Sequence, residues 1–148
     1  LAAGVTVGLG TDGCASINIL DMFQEMDTAA KFHKVVRLDP TVMDAKTVVG
    51  IATKGGAKVL GMDKLVGSLK PGMKADIIII NLNKPHLIPL YNEYSHIVYA
   101  ANGADVDTVL INGKIVMNNR MLLTINENDI ISMVEETALK IKTMLGIN

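Results

Sequence analysis

One cysteine, Cys14, is the whole thiol complement of this 148-residue chain, which excludes an internal disulfide and points to a reducing compartment. Long runs of one charge are also missing. Lys and Arg number 14 against 15 Asp and Glu, so the footprint of a phosphate-backbone binder is absent and nucleic acid is not expected as a partner. The longest apolar run, IIII at 77–80, is far shorter than the roughly 20 residues of a spanning helix, and no basic stretch precedes an apolar one at the N-terminus. The expectation is a soluble cytoplasmic protein with no membrane partner. Neither HxH nor HExxH occurs. Gly8, Gly10 and Gly13 match neither GxGxxG nor the Walker spacing, and no Lys follows them. Internal repeats and low-complexity linkers are lacking as well. What is present is 49% hydrophobic content with positive mean hydropathy, enough for the core of one ordinary domain or two small lobes.

The order of patterns is α/β, with three regions at 1–61, 62–124 and 125–148. In the first, GVTVGLGTDG opens on Val5, Val7 and Leu9 with small residues between them, which predicts a strand covered on both faces and then a glycine turn. The sequence opens almost inside this strand, as a piece of a longer chain would. Ser16 or Asn18 is then a candidate cap for a helix carrying Ile17, Leu20, Phe23, Met26 and Ala30 at helical spacing. A second helix is predicted after Pro40, capped by Asp44, with Ala45, Val48, Val49 and Ala52 on its inner face. It is weakened by Gly55-Gly56 and stopped at Gly61. The middle region is a small β lobe: VGSLKPGMKADIIIINL places a turn before a strand, and Asn112-Gly113 between apolar arms predicts a type I′ hairpin. The segment between them, with two prolines, predicts a loop with one short helix. From Asn126 to Leu145 a helix is predicted, capped by Asn126, with Ile130, Val134, Ala138, Ile141 and Leu145 on one face and Gly146 at its end.

Asp12 is the residue of chemical interest. A Thr-Asp-Gly turn is commonly just a turn, because Asp hydrogen-bonds nearby amides and Gly tolerates positive φ. Position argues for more: ligands and catalytic groups of parallel α/β folds gather where strands end, and Asp12 follows a buried strand and precedes a helix. A carboxylate there can bind a cation or carry a proton. The other candidates read as structural. His33 lies late on the first helix, at solvent or core edge, and His86 and His96 match no metal-ligand spacing. Cys14 stands at a helix entry without an evident His partner and reads as a small buried thiol. The nine Met residues are core filler, and Asp105 and Asp107 read as a solvated strand start. Spacing alone stops at an α/β piece with one conspicuous Asp.

The runs VGLGTDGCASINILDMFQEM, GAKVLGM, VGSLKPGMKADIIIINL, PHLIPLYNEYSHIVYAANGADV and VLINGKIVMNN resemble, in order, the C-terminal part of the amidohydrolase superfamily. The likeness is greatest to the cytosine deaminase and chlorohydrolase branch, especially the deaminases of 5′-methylthioadenosine, S-adenosylhomocysteine and 5′-deoxyadenosine. It implies the end of a metal-dependent hydrolase (β/α)8 barrel over residues 1–61, a β-sandwich lobe over 62–124 and a C-terminal helix. Residues 4–12 then match the eighth barrel strand, and Asp12 matches the aspartate that touches the metal and the attacking water, both ligand and proton shuttle. The family's turn commonly continues Ser-Asn-Asn. Ser16 and Asn18 fit that pattern as cap and turn residues, whereas Ile17 replaces the first Asn and removes a polar group. His96 matches a histidine that packs a loop between lobes.

The family's HxH pair, two further histidines and Glu acid/base do not occur in these residues. The resemblance therefore implies one divalent metal, zinc or iron, in the full-length enzyme and none bound by this segment alone, with the remaining barrel supplied by preceding sequence. The implied substrate is a small molecule, an adenosine-type nucleoside or related heterocycle. Triazine-type chlorohydrolase and guanine-type deaminase substrates are the alternatives within the enzyme reading. A non-catalytic binding module is the alternative outside it, since unpaired strand edges favour self-association, a homo-oligomer included.

Overall fold

The computed structural model describes residues 1 and 3–147. After an extended stretch come a single helical turn α1 (Cys14–Ile17), the long helix α2 (Met22–Arg37) and α3 (Ala45–Gly50). The last of these continues through a π-helical turn at Ile51–Gly55 into α4 (Gly56–Val59). Strand β1 (Ile77–Ile80) follows, then a 3₁₀ turn (Pro85–Leu87), α5 (Glu93–Tyr99) and a second 3₁₀ turn (Gly103–Asp105). Strands β2 (Val106–Ile111), β3 (Lys114–Asn118) and β4 (Met121–Leu122) and helix α6 (Glu127–Leu145) complete the order.

The strand expected at Val5–Leu9 is not formed: these residues are extended but carry no ladder. A strand exists by exchanging backbone hydrogen bonds with a neighbour, and among the described residues this stretch has none. It is held instead by helix packing. A Cβ added at Gly55 would stand 2.3 Å from the Val7 carbonyl oxygen, and one added at Gly8 would stand 3.0 Å from Gly56 Cα. Gly55-Gly56, read from sequence as helix-weakening, is where the extended chain touches the helix backbone.

The first predicted helix splits in two. Asn18 adopts φ 66 and ends α1, and Asp21 caps α2 by accepting a hydrogen bond from Phe23 N at 2.9 Å. The cap is thus neither Ser16 nor Asn18. Ile17 and Leu20 are exposed, while Phe23, Met26 and Ala30 are buried at the expected spacing. Lys34 and Arg37 in the last turn suit the negative end of the helix dipole, and Lys34 Nζ donates to the carbonyls of Val42 and Met43, closing the loop into α3. Asp44 caps α3 as predicted, accepting from Thr47 N and Thr47 Oγ1. Gly61 at φ 67 ends the run.

The β lobe is one antiparallel sheet in the order β1-β2-β3-β4. The hairpin turn takes the left-handed conformation at both Asn112 (φ 51) and Gly113 (φ 78), as a type I′ turn requires. Asp76 Oδ1 accepts from Asn112 N and Ala75 O from Gly113 N, so the hairpin tip is tied to the chain ahead of β1. One cluster joins helices to sheet: Phe23, Met26 and Ala30 of α2, Ala45 and Val48 of α3, Val98 of α5, Val106 of β2 and Met117 of β3. This core draws on both sides of position 61. Helix α6 is capped by Asn126 and ended by Gly146 as expected, but none of its residues is buried. Among the described residues no helix is long and apolar enough to cross a membrane.

Candidate active site

Asp12 sits on the turn between the extended stretch and α1 in the left-handed region, φ 58. Asp visits that region more readily than most residues because its short side chain bonds locally. Here Oδ1 accepts from Gly13 N at 2.8 Å, and the Thr11 hydroxyl donates to Asp12 O at 3.1 Å. These contacts orient the carboxylate. Oδ2 accepts nothing among the described residues, and the side chain is exposed. Asp12 thus presents one oriented carboxylate with a free oxygen, chemistry suited to one corner of a divalent-metal site or to proton transfer.

Its neighbours add no second ligand. Ser16 N donates to Gly13 O and Asn18 N to Cys14 O, backbone bonds of the single helical turn in which neither side chain acts as an N-cap, and Ile17 is exposed. Cys14, expected to be buried, is exposed at the start of α1, because a helix of four residues has too little surface to cover it. His33 is exposed on α2, His86 lies in the 3₁₀ turn and His96 lies on α5 with Nδ1 3.2 Å from Asn92 O. His96 lines a cleft of about 240 Å³ with Ile78, Ile80, Leu90 and Ile97. A second cleft of about 350 Å³ lies between α2 and α5, and Asp12 lines neither. Among the described residues no group of three or more His, Cys, Asp or Glu could hold a metal. The residues present fit a metal site only as a single donor.

The strongest electrostatic feature is elsewhere. Asp105, read from sequence as solvated, is 1% exposed. Its Oδ1 lies 2.9 Å from Lys84 Nζ, and its Oδ2 lies 3.0 Å from His86 Nε2 and accepts from Asn102 N at 2.9 Å. Burial pushes its carboxyl pKa up, but the hydrogen bonds from His86, Lys84 and Asn102 outweigh burial and hold it at about 2. The correction has a local cause: Asn102 and Asp105 form a capping box around the 3₁₀ turn, which draws Asp105 inward. The N-x-x-D spacing was the available signal. A second overlooked carboxylate, Asp21, caps α2 with Oδ1 and accepts from Gly103 N with Oδ2 at 2.9 Å. Its signal was an Asp placed just before the first buried positions of a helix.

An extended run ending in a carboxylate-bearing turn is followed by helices and joined to an antiparallel sheet, an α/β arrangement. The chain belongs to the amidohydrolase family, whose pattern matches residues 1–116. It is 61% identical over 145 residues, 98% of its length, to a 5-methylthioadenosine/S-adenosylhomocysteine deaminase of Syntrophus aciditrophicus, of which it covers 33%. It is 47% identical over 138 residues, 93% of its length, to a 5'-deoxyadenosine deaminase of Methanosarcina mazei, of which it covers 32%. Among solved structures, an adenosine deaminase from Xanthomonas campestris with bound zinc superimposes with a TM-score of 0.93 at 37% identity. That match covers 96% of this chain and 32% of the other. The chain therefore spans about a third of the length of the relatives it matches.

Proposed function

We propose that these residues form the C-terminal third of a barrel enzyme that hydrolytically deaminates an adenosine-type nucleoside in the cytoplasm, with Asp12 as metal ligand and proton carrier. The observation that carries this reading is the Asp12 carboxylate, oriented by Gly13 N, with its second oxygen free, on the turn after the extended run. The deaminase names of relatives at 61% and 47% identity support the substrate class.

A divalent ion, zinc or iron, would be held by Asp12 together with ligands from outside these residues, and when bound would supply Lewis acidity toward the attacking water. Within this chain, Asp12 contributes one oxygen donor, accepts the proton that the attacking water loses and delivers it to the departing amine. Water adds at the carbon bearing the amino group, the carbon–nitrogen bond breaks and ammonia leaves, so atoms balance without an oxidant. The Gly13 N–H keeps Oδ1 engaged and leaves Oδ2 to do this work.

The test is metal content and turnover of the full-length polypeptide with and without Asp12→Asn, which keeps size and removes charge. Loss of most metal and of deamination is expected. Full metal occupancy and undiminished turnover in that variant would show that the carboxylate serves only the turn.

A further inference from the structure

We infer that Asp21 is a positioning residue for the Asp12 turn, clamping it to the β lobe through Gly103; the inference rests on the metal-ligand reading of Asp12. Residues 12–20 are all exposed, so packing within these residues does not fix the turn. Within these residues the turn has an anchor on either side. Upstream, the Val7 carbonyl and Gly8 lie against Gly55 and Gly56 with no room for a Cβ. Downstream, Asp21 grips Gly103 N at 2.9 Å across 82 residues of sequence.

Both ends of the downstream clamp are themselves immobilised. Asp21 Oδ1 is held by Phe23 N at the start of α2. Gly103 is also held through its carbonyl, in the next peptide unit, because Arg120 Nη1 donates to Gly103 O at 3.1 Å and to Val106 O at 2.9 Å. Asn102 N on buried Asp105 completes the cradle. Between clamp and turn the chain has little freedom. Ser16 N and Ile17 N donate to Gly13 O, Asn18 N to Cys14 O and Ile19 N to Ile17 O. Only Leu20 separates this bonded coil from Asp21. A displacement at Asp21 is therefore transmitted to Asp12 through a short, internally bonded connector.

Helix capping and clamping can be separated by mutation. Asp21→Ser keeps a good N-cap for α2, but a single hydroxyl cannot also reach Gly103. Asp21→Asn keeps the size and the capping ability, but its single amide oxygen can serve only one of Phe23 N and Gly103 N, and its NH₂ cannot accept. Position 103 itself is left unchanged, because even a Cβ there would stand 3.3 Å from Asp21 Oδ2.

In the full-length polypeptide, both variants are expected to speed hydrogen exchange at the amides of residues 16–19, relative to α3, and to weaken zinc affinity about 10- to 100-fold. Turnover should fall through kcat, with KM near wild type. Wild-type exchange at 16–19 in either variant overturns the inference, and so does faster exchange with unchanged zinc affinity. Asp12→Asn in the same background separates the two proposals: retention of metal there defeats the deaminase reading, while the exchange rates still decide the clamp.

Discussion

His86 Nε2 lies 3.0 Å from Oδ2 of Asp105, a carboxylate that is almost wholly withdrawn from solvent. With Lys84 Nζ on Oδ1 and Asn102 N on Oδ2, this carboxylate ties the loop after β1 to the 3₁₀ turn ahead of β2. A buried carboxylate is tolerated only when its oxygens are met by donors, and removing its charge strands those donors. Asp105→Asn keeps the shape, loses the charge and places an amide against Lys84 or His86. The expected cost is about 2–3 kcal/mol, moderated by the partial exposure of Lys84, and is read as a lower urea midpoint at unchanged slope.

The same group makes stability pH-dependent. Asp105 titrates at about 2 in the folded protein against an ordinary value of 3.8, so between those values the unfolded chain binds more protons than the folded one. Stability therefore rises with pH through that window, is fully present above it and is lost as pH falls toward 2. Its size is about 2 kcal/mol, from 1.36 kcal/mol per pKa unit. Urea unfolding at several pH values between 2 and 5 is expected to show this slope in the wild type and a reduced one in Asp105→Asn. Equal slopes would assign the acid sensitivity to other carboxylates.

What could be read in advance was local. The Asp44 and Asn126 caps, the Asn112-Gly113 hairpin and the Phe23, Met26 and Ala30 face depend on residues within a turn or two of each other, and each stands in the structure. Elsewhere the cause is wholly or partly remote. Val5–Leu9 has strand composition, but a ladder needs a neighbour that composition does not record. The α2 cap at Asp21 has a local signal, but its second partner, Gly103, lies 82 residues away. Asp105 alternates like a solvent-facing residue, and only the fold brings Lys84 and His86 to it. In the candidate site, the Asp12 turn was legible because it is local, and no group of side chains that could hold a metal lies among the described residues.

Two glycines of one helical run should respond to alanine with opposite sign. Alanine in a helix interior is ordinarily favoured over glycine by about 0.5–1 kcal/mol. At Gly50 a Cβ meets nothing within 4 Å, so Gly50→Ala is expected to stabilise by that amount. At Gly55 the Cβ would stand 2.3 Å from the Val7 carbonyl oxygen, backbone against backbone, so the contact has to open. Gly55→Ala is expected to destabilise by about 1–3 kcal/mol and to loosen residues 4–10. Chemical denaturation gives the signs, and proteolysis near residue 7 gives the loosening. A stabilising Gly55→Ala would mean that the extended stretch does not rest on the helix.

The 148-residue chain on its own is expected to neither retain zinc nor deaminate. A catalytic zinc is typically held by about three protein ligands with an open position for water. Asp12 offers one oxygen, and no cluster of three metal-ligating side chains exists among the described residues. His86 cannot be recruited without loss, since it is committed to Asp105. The measurement is zinc retained after dialysis, followed by an ammonia-release assay with an adenosine-type nucleoside and added Zn²⁺ or Fe²⁺. Turnover by this chain that disappears in its Asp12→Asn variant would show that the missing ligands lie within these residues after all, and the division of labour proposed for the larger enzyme would be wrong.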